Sequence, residues 1–117
     1  IDISSPYMLF VAPVKKPEKI PAVTHVDGTS RLQTVSKNIN SLFYNLITEF
    51  YKISDVPVLI NTSMNVRGEP IVNTPEDAFK CFMGTELDSL VIENCYLNKK
   101  DQDTKMIKSY KNKFKLD

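Results

Sequence analysis

The pattern of hydrophobic and polar positions predicts strands in the first third of the chain, and helices that alternate with further strands after it. A run of strand-forming residues covers 7–12, and further strands are predicted over 22–26 and 31–35. The Asp27–Gly28 pair between the last two permits a tight turn. The charged stretch 15–21 contains two prolines and indicates a surface loop.

Two helices are predicted from apolar side chains that recur every three or four residues. The first runs from Asn40 to Lys52, with Asn40 or Ser41 as its N-cap. The second begins at Thr74 and Pro75, a capping residue followed by a first-turn proline, and ends near Gly84. The side chains expected to face inward are Leu42, Phe43, Leu46, Ile47, Phe50 and Tyr51 in the first helix, and Ala78, Phe79, Phe82 and Met83 in the second.

Two more apolar segments complete the predicted fold. A buried strand is expected over 56–60 and a last strand within 87–97. The order of strands and helices predicts an α/β fold, with helices packed on one mixed, twisted sheet. Residues 1–98 would form this domain, and 99–117 a lysine-rich tail that is either an amphipathic helix or frayed. The tail's apolar residues at helical spacing are Met106, Ile107, Tyr110 and Phe114.

Composition and charge narrow the class of protein only slightly. The chain has 117 residues, 42% of them hydrophobic, and a net charge of +1, which is ordinary for one globular domain or part of one. Residues 99–117 carry +4 and the first 98 carry −3. Cys81 and Cys95 lie in apolar patterns, so two buried thiols are expected; with a single histidine, no metal site is predicted. We expect a cytoplasmic protein with no membrane partner, because no membrane-spanning run or signal peptide is present.

A first candidate site follows the predicted strand 22–26. Gly28, flanked by small polar residues, allows close approach of the backbone to a ligand, and Arg31 can hold a phosphate or carboxylate through two hydrogen bonds. The alternative is a structural turn in which Asp27 pairs with Arg31. His25 is open to the same two interpretations, because a lone histidine at a strand end is often structural.

A second candidate site follows the predicted strand 56–60. Here the chain switches abruptly from apolar residues to short hydrogen-bonding side chains and a guanidinium, namely Asn61, Thr62, Ser63, Asn65 and Arg67. The ends of strands in open α/β sheets are where ligands usually bind. The alternative is an ordinary connection, with Asn65 and Gly68 in left-handed conformations and Arg67 in solvent.

The chain lacks the motifs of common catalytic sites, so its candidate residues indicate a binding site for an anion. It has no nucleophilic triad, no glycine-rich phosphate loop and no obvious pair of catalytic carboxylates. Catalytic residues in the strict sense stay unknown. The hydrogen-bond donors and positively charged side chains of the two candidate sites suit a phosphorylated or acyl-phosphate substrate.

Two long stretches resemble one enzyme family. Residues 25–35 resemble the HVDGTAR-x-QTV signature, and residues 57–77 the PVLLNTSFN-x-RGEPIV-x-TPEDA run, of the NodU/CmcH-type carbamoyltransferases that act in nodulation and cephamycin biosynthesis. The resemblance covers about residues 5–99. Met64 stands where phenylalanine is usual, and Ser30 where alanine is common.

The resemblance implies a fold, a reaction and roles for the candidate residues. The C-terminal region of this family looks like the YrdC fold and activates carbamoyl phosphate with ATP and Mg²⁺, forming carbamoyl-adenylate and releasing pyrophosphate. An N-terminal domain with its own metal then transfers the carbamoyl group to an acceptor hydroxyl. By this resemblance His25 and Arg31 would face carbamoyl phosphate. The nucleotide phosphates would be surrounded by Asn61, Thr62, Ser63, Asn65 and Arg67.

The same resemblance suggests that the chain is part of a longer enzyme. A basic segment found before the SPYM element of the family is absent, and YrdC-like domains are larger. We therefore expect a partial YrdC-like domain that binds nucleotide weakly and is inactive without its N-terminal part. Two alternatives remain: an RNA-binding or threonylcarbamoyl-adenylate module acting on tRNA through the lysine-rich tail, although nucleic acid is the weaker expectation, and a purely structural domain that docks on its N-terminal half.

Overall fold

Contacts within the chain divide it into two compact units. The computed structural model describes residues 4–111. The units are Ile1–Asn61 and Thr62–Asp117. The α/β class predicted from the sequence is confirmed. In place of one mixed sheet, the strands among the described residues form two separate two-stranded antiparallel sheets.

The first unit contains one small sheet and one long helix. Strand β1 (Phe10–Pro13) pairs antiparallel with β2 (Thr29–Leu32), with Val11 opposite Arg31. Helix α1 (Ser41–Ser54) follows, and the side chain of Asn40 caps it by accepting a hydrogen bond from the backbone N–H of Phe43 at 3.1 Å. The predicted helix and its N-cap are therefore confirmed. None of the α1 side chains is buried, however, so the expected inward face is not covered.

The strand predictions in this unit are only partly right. β1 begins at Phe10 rather than residue 7, because Met8 has a φ of 56°, which an extended strand cannot accommodate. The strand expected over 22–26 is wrong: Pro21–Val23 forms a 3₁₀ turn, and the Thr24 backbone N–H donates to the Pro21 carbonyl. The third predicted strand, 31–35, appears two residues earlier, as β2.

The predicted buried strand over 56–60 is also wrong. The described residues contain no strand that pairs with this segment, and 39% of Val58 and 61% of Ile60 are exposed. A strand needs hydrogen-bonding partners in a neighbouring segment, and the apolar run alone cannot supply them.

The second unit contains the hydrophobic core. Helix α2 (Pro75–Gly84) packs on strand β3 (Ser89–Ile92), which pairs with β4 (Cys95–Asn98), and α3 (Thr104–Lys111) packs on α2. Phe82 and Met83 are fully buried with Leu90 beside them. Residues packed around them are Met64, Phe79, Ile92, Leu97, Ile107 and Tyr110.

The sequence predictions for this unit are largely confirmed. Thr74 caps α2 as predicted, and the structure adds a capping box in which Asp77 bonds back to Thr74; the predicted residues face inward. The last strand is instead a hairpin that turns at Glu93, whose φ is 51°. Cys81 is buried as expected, but Cys95 is exposed because it stands at the turn, and both thiols are free.

The lysine-rich tail forms an amphipathic helix as far as the structure describes it. Ile107 and Tyr110 of α3 pack against the core, whereas Phe114, the last residue of the predicted pattern, lies outside the described residues. In residues 4–111 no helix is long and apolar enough to cross a bilayer. The division of the chain at residues 98 and 99 stays a prediction.

Candidate functional site

A basic cavity of about 960 Å³ lies in the first unit. Its wall is built by the connection between β1 and β2, by β2 itself and by the segment after α1. Lys15, Lys16, Lys19 and Arg31 line it, and Asp55 is the one carboxylate among its lining residues. The volume is in the range of small-molecule and cofactor sites. Such a balance of charge favours an anionic ligand.

Three of the four cations are available to a ligand. Lys19 is engaged, because its Nζ donates to Asp55 at 3.0 Å. No carboxylate in residues 4–111 pairs with Lys15, Lys16 or Arg31. Arginine presents a fork of donors, and lysine a point charge, to phosphate oxygens.

The lysines of this cavity were missed by sequence reasoning. The stretch 15–21 lies on the surface, as predicted, and its two prolines each begin a 3₁₀ turn, Pro17–Lys19 and Pro21–Val23. These turns fold the connection back towards β2. The signal that could have found them is the basic run directly before the 25–35 signature, bounded by prolines that restrict its backbone.

His25 and Arg31, the predicted ligands of carbamoyl phosphate, line this cavity together. His25 precedes a tight turn in which Gly28 has a φ of 77°, a conformation that glycine adopts without strain. The Gly28 backbone N–H donates to the His25 carbonyl at 2.9 Å, and the His25 N–H to the Thr29 carbonyl at 2.7 Å. The turn therefore fixes His25 at the entry to β2.

The side chains of the same turn form a hydrogen-bonded series. Asp27 Oδ1 accepts from the Thr29 backbone N–H at 3.0 Å and from the Thr29 hydroxyl at 2.6 Å, and Thr29 Oγ1 lies 3.1 Å from Nδ1 of His25. The Thr29 hydroxyl, followed by its backbone N–H, lowers the pKa of Asp27 below its ordinary value. Asp27 bonds Thr29 rather than Arg31, so the alternative of an Asp27–Arg31 pair is not what forms.

Asn61 lines the same cavity through a network that ties the N-terminal segment to β2. Its Nδ2 donates to Oε1 of Gln33 at 2.6 Å, and Gln33 Nε2 donates to the Pro6 carbonyl at 2.8 Å. Buried Ser5 bonds Thr34 and the Leu32 carbonyl. Residues 5–8, which resemble the SPYM element of the family, therefore bond Gln33, the partner of Asn61, and also β2, and Met8 of this element lines the cavity.

The other predicted phosphate ligands belong to the second unit. The Ser63 hydroxyl donates to Asn65 Oδ1 at 2.7 Å, and Asn65 Nδ2 donates to the carbonyls of Val66 and Glu69 at 3.3 and 3.1 Å. These bonds close a turn in which Gly68 has a φ of 83°. Arg67 and Thr62 are exposed. Gly68 is left-handed, as the structural alternative expected, but Asn65 is not among the residues with positive φ.

A smaller cleft of about 250 Å³ lies beside this turn. Asn65 lines it together with Glu69, Asp77, Lys80 and Cys81. Burial raises the pKa of the Cys81 thiol above its ordinary value, so the thiol is a poor nucleophile there. Because Lys80 is paired with Glu76 at 3.0 Å, this cleft offers an anion less positive charge than the larger cavity.

Comparison with known proteins places these residues in a family context. The model of the family described as Carbamoyltransferase C-terminus matches residues 1–99. The uncharacterised protein sll1178 of Synechocystis is 43% identical in an alignment that covers all of this chain and 23% of that protein.

Two named relatives are also similar. The nodulation protein NolNO of Sinorhizobium fredii is 50% identical over 81% of this chain and 14% of its own length. The 3'-hydroxymethylcephem-O-carbamoyltransferase of Amycolatopsis lactamdurans is 41% identical over 65% of this chain and 15% of its own length. The chain spans less than a quarter of the length of these three relatives.

Proposed function

The chain belongs to the carbamoyltransferase C-terminus family, and from this premise we propose that it contributes to carbamoyl-group transfer as part of a longer O-carbamoyltransferase. Its role in that enzyme is to bind carbamoyl phosphate and ATP for the formation of carbamoyl-adenylate. The acceptor is a hydroxyl group bound elsewhere in the enzyme. The basic cavity of the first unit is the single observation that carries the assignment of this role.

The cavity fits the chemistry of these ligands. Carbamoyl phosphate and the nucleotide phosphates are polyanions, and Lys15, Lys16 and Arg31 offer three cations that pair with no carboxylate among residues 4–111. For atoms to balance, water first hydrolyses carbamoyl phosphate to carbamate and inorganic phosphate. A carbamate oxygen then attacks the α-phosphorus of ATP and displaces pyrophosphate. Fixed cations stabilise the charge that builds on phosphate oxygens without requiring a side chain to move a proton.

Magnesium would come to this site with the nucleotide. Residues 4–111 contain no group of three histidine, cysteine or acidic side chains that could hold a metal ion. Mg²⁺ often relies on one or two carboxylates and on substrate phosphates, so ATP itself supplies most of its ligands. When bound, the ion neutralises phosphate charge. The metal of the N-terminal domain is a separate site that this chain does not provide.

The partner that we propose for the first unit is the rest of the same polypeptide. Large apolar side chains of α1 face solvent, with 82% of Leu42 and 87% of Ile53 exposed. Contiguous exposed apolar surface is typical of an interface. The relatives are more than four times as long as the part of them that this chain matches, which leaves ample chain to cover this face.

The assignment is tested by ligand binding to the longer protein that contains this chain. Calorimetric titration with ATP and with carbamoyl phosphate is compared for the unmodified protein, Arg31→Ala and Arg67→Ala. We expect each substitution to weaken binding of at least one ligand about tenfold, or ~1.4 kcal/mol. The matched control is Lys37→Ala, which removes an exposed cation of the first unit outside the cavity.

The outcome can contradict the residue roles and the reaction separately. If neither arginine variant differs from Lys37→Ala, the assigned ligand residues are wrong. Release of inorganic phosphate without pyrophosphate from carbamoyl phosphate and ATP would contradict adenylate formation. For the 117-residue chain alone we expect weak nucleotide binding and no turnover, so pyrophosphate release from it would overturn the need for the N-terminal part.

A further inference from the structure

The hydrogen bonds around Thr29 determine where the proton of His25 resides. A threonine hydroxyl carries one hydrogen, and an ionised carboxylate carries none. At neutral pH the hydrogen in the 2.6 Å contact with Asp27 therefore belongs to Thr29. Because that hydrogen is used, Thr29 Oγ1 can only accept a hydrogen bond from His25, 3.1 Å away. The donor must be an N–H on Nδ1.

We propose that Asp27 and Thr29 hold His25 in its Nδ1–H tautomer, so that Nε2 is kept as a hydrogen-bond acceptor on a residue of the cavity wall. In a neutral imidazole one nitrogen donates and the other accepts, and the partner of one fixes the role of the other. Nε2 makes no hydrogen bond to any residue from 4 to 111. Asp27 and Thr29 act through His25 and are positioning residues.

A fixed acceptor in this place discriminates between acyl phosphates. This step rests on the proposed function. Carbamoyl phosphate carries an amino group on its acyl carbon, and that group can donate to Nε2. Acetyl phosphate has a methyl group in the same place and leaves the acceptor unsatisfied. Sites built to bond a polar group reject analogues that lack it. His25 is therefore a specificity-determining residue that selects a carbamoyl over an acetyl group.

The tautomer can be measured directly in the 117-residue chain. His25 is its single histidine, so labelling histidine with ¹⁵N gives one pair of ring signals. Two-bond ¹H–¹⁵N correlation at a pH where the ring is neutral identifies the protonated nitrogen. We expect Nδ1–H to predominate. Predominance of Nε2–H would overturn the proposal at once.

Variants test whether Thr29 and Asp27 cause the preference. Thr29→Ser keeps the hydroxyl and should keep the tautomer. Thr29→Val removes the hydroxyl that accepts from Nδ1–H. Asp27→Ala frees the Thr29 hydrogen to donate to Nδ1. Both variants should shift the tautomer ratio towards Nε2–H by about two- to tenfold, which corresponds to the free energy of one hydrogen bond. Thr48→Val is the matched control, because that hydroxyl donates to the Tyr44 carbonyl in the same unit and does not touch His25. An unchanged ratio in both Thr29→Val and Asp27→Ala would contradict the positioning role.

The preference for carbamoyl phosphate over acetyl phosphate is tested in the longer protein that contains this chain. Binding of carbamoyl phosphate and acetyl phosphate is compared before and after His25→Ala. We expect the preference for carbamoyl phosphate to fall by roughly two- to tenfold, with little change for acetyl phosphate. An equal loss for both ligands would mean that His25 is merely structural. If the unmodified protein binds neither ligand, the proposed function fails, while the tautomer result stands on its own.

Discussion

Lys99 shows how one side chain can close the end of a helix. Its Nζ donates to the carbonyls of Phe82 and Thr85, the latter at 2.9 Å, and lies 4.3 Å from the centroid of the Phe82 ring. The last carbonyls of a helix have no partner within the helix and carry partial negative charge. A lysine from the end of β4 therefore supplies both hydrogen bonds and charge to the C-terminus of α2.

The substitution Lys99→Met should destabilise the chain by about 1–3 kcal/mol, because it keeps the aliphatic stem but leaves part-buried carbonyls without their donor. Urea unfolding followed by circular dichroism measures the change. Lys100→Met is the matched control, since Lys100 is the exposed next residue and should change stability by less than about 0.5 kcal/mol. Equal effects of the two substitutions would show that the contacts of Lys99 add nothing.

At the residue scale, sequence reasoning found candidate ligands but not their whole setting. His25 and Arg31 line one cavity with Asn61, which is distant from them in the chain, because residues 5–8 bond both Gln33 and β2. Only the resemblance to the carbamoyltransferase family grouped these residues as ligands, since their spacing alone was equally compatible with structural roles. Thr29, which connects Asp27 to His25, was not singled out because its importance depends on a proton count that only geometry reveals.

At the scale of elements, helices were predicted well and strands poorly. The bonds of a helix are local, so the caps at Asn40 and Thr74 and the periodic apolar residues were sufficient to predict α1 and α2. A strand depends on a partner elsewhere in the chain. The apolar run 56–60 has strand-forming residues but no pairing segment among residues 4–111, and the run 22–26 loses its extended form to the turn that begins at Pro21.

The capping box of α2 predicts a pH-dependent stability. Thr74 and Asp77 bond each other reciprocally, and hydrogen bonding from Thr74 lowers the pKa of Asp77 below 3.8 in the folded chain. Because the folded pKa lies below the unfolded one, the ionised carboxylate stabilises the fold. This contribution is fully present above pH 3.8 and is lost as the pH falls through the lowered folded value.

Removing this carboxylate should therefore abolish that pH dependence. We expect Asp77→Asn to be less stable than the unmodified chain at pH 6, and the difference in unfolding free energy to shrink as the pH falls below 3.8. Urea unfolding at a series of pH values measures it. Asp88→Asn, which alters an exposed aspartate of the same unit, serves as control. A difference that stays constant or grows in acid would contradict the sign.

At the scale of the whole molecule, the two units differ in how much apolar surface they bury. Every buried hydrophobic side chain among the described residues lies in the second unit: Ala78, Cys81, Phe82, Met83 and Leu90. The first unit has the basic cavity and a helix without buried side chains. The sequence predicted an inward face for α1 and for α2 alike, because periodicity reports which face is apolar and not what covers it.

This difference predicts that the two helices open with different free energies. In the isolated 117-residue chain, amide hydrogens of α1 should exchange at least about tenfold faster, relative to their intrinsic rates, than those of α2, which corresponds to ~1.4 kcal/mol. Within the longer protein α1 should gain protection by a similar factor, because the interface that we propose would cover Leu42 and Ile53. Helix α2 serves as internal control and should change little. Hydrogen exchange read by mass spectrometry measures both. Equal protection of α1 and α2 in the isolated chain would mean that α1 is stable without a partner. Its exposed apolar face would then no longer support the proposed interface.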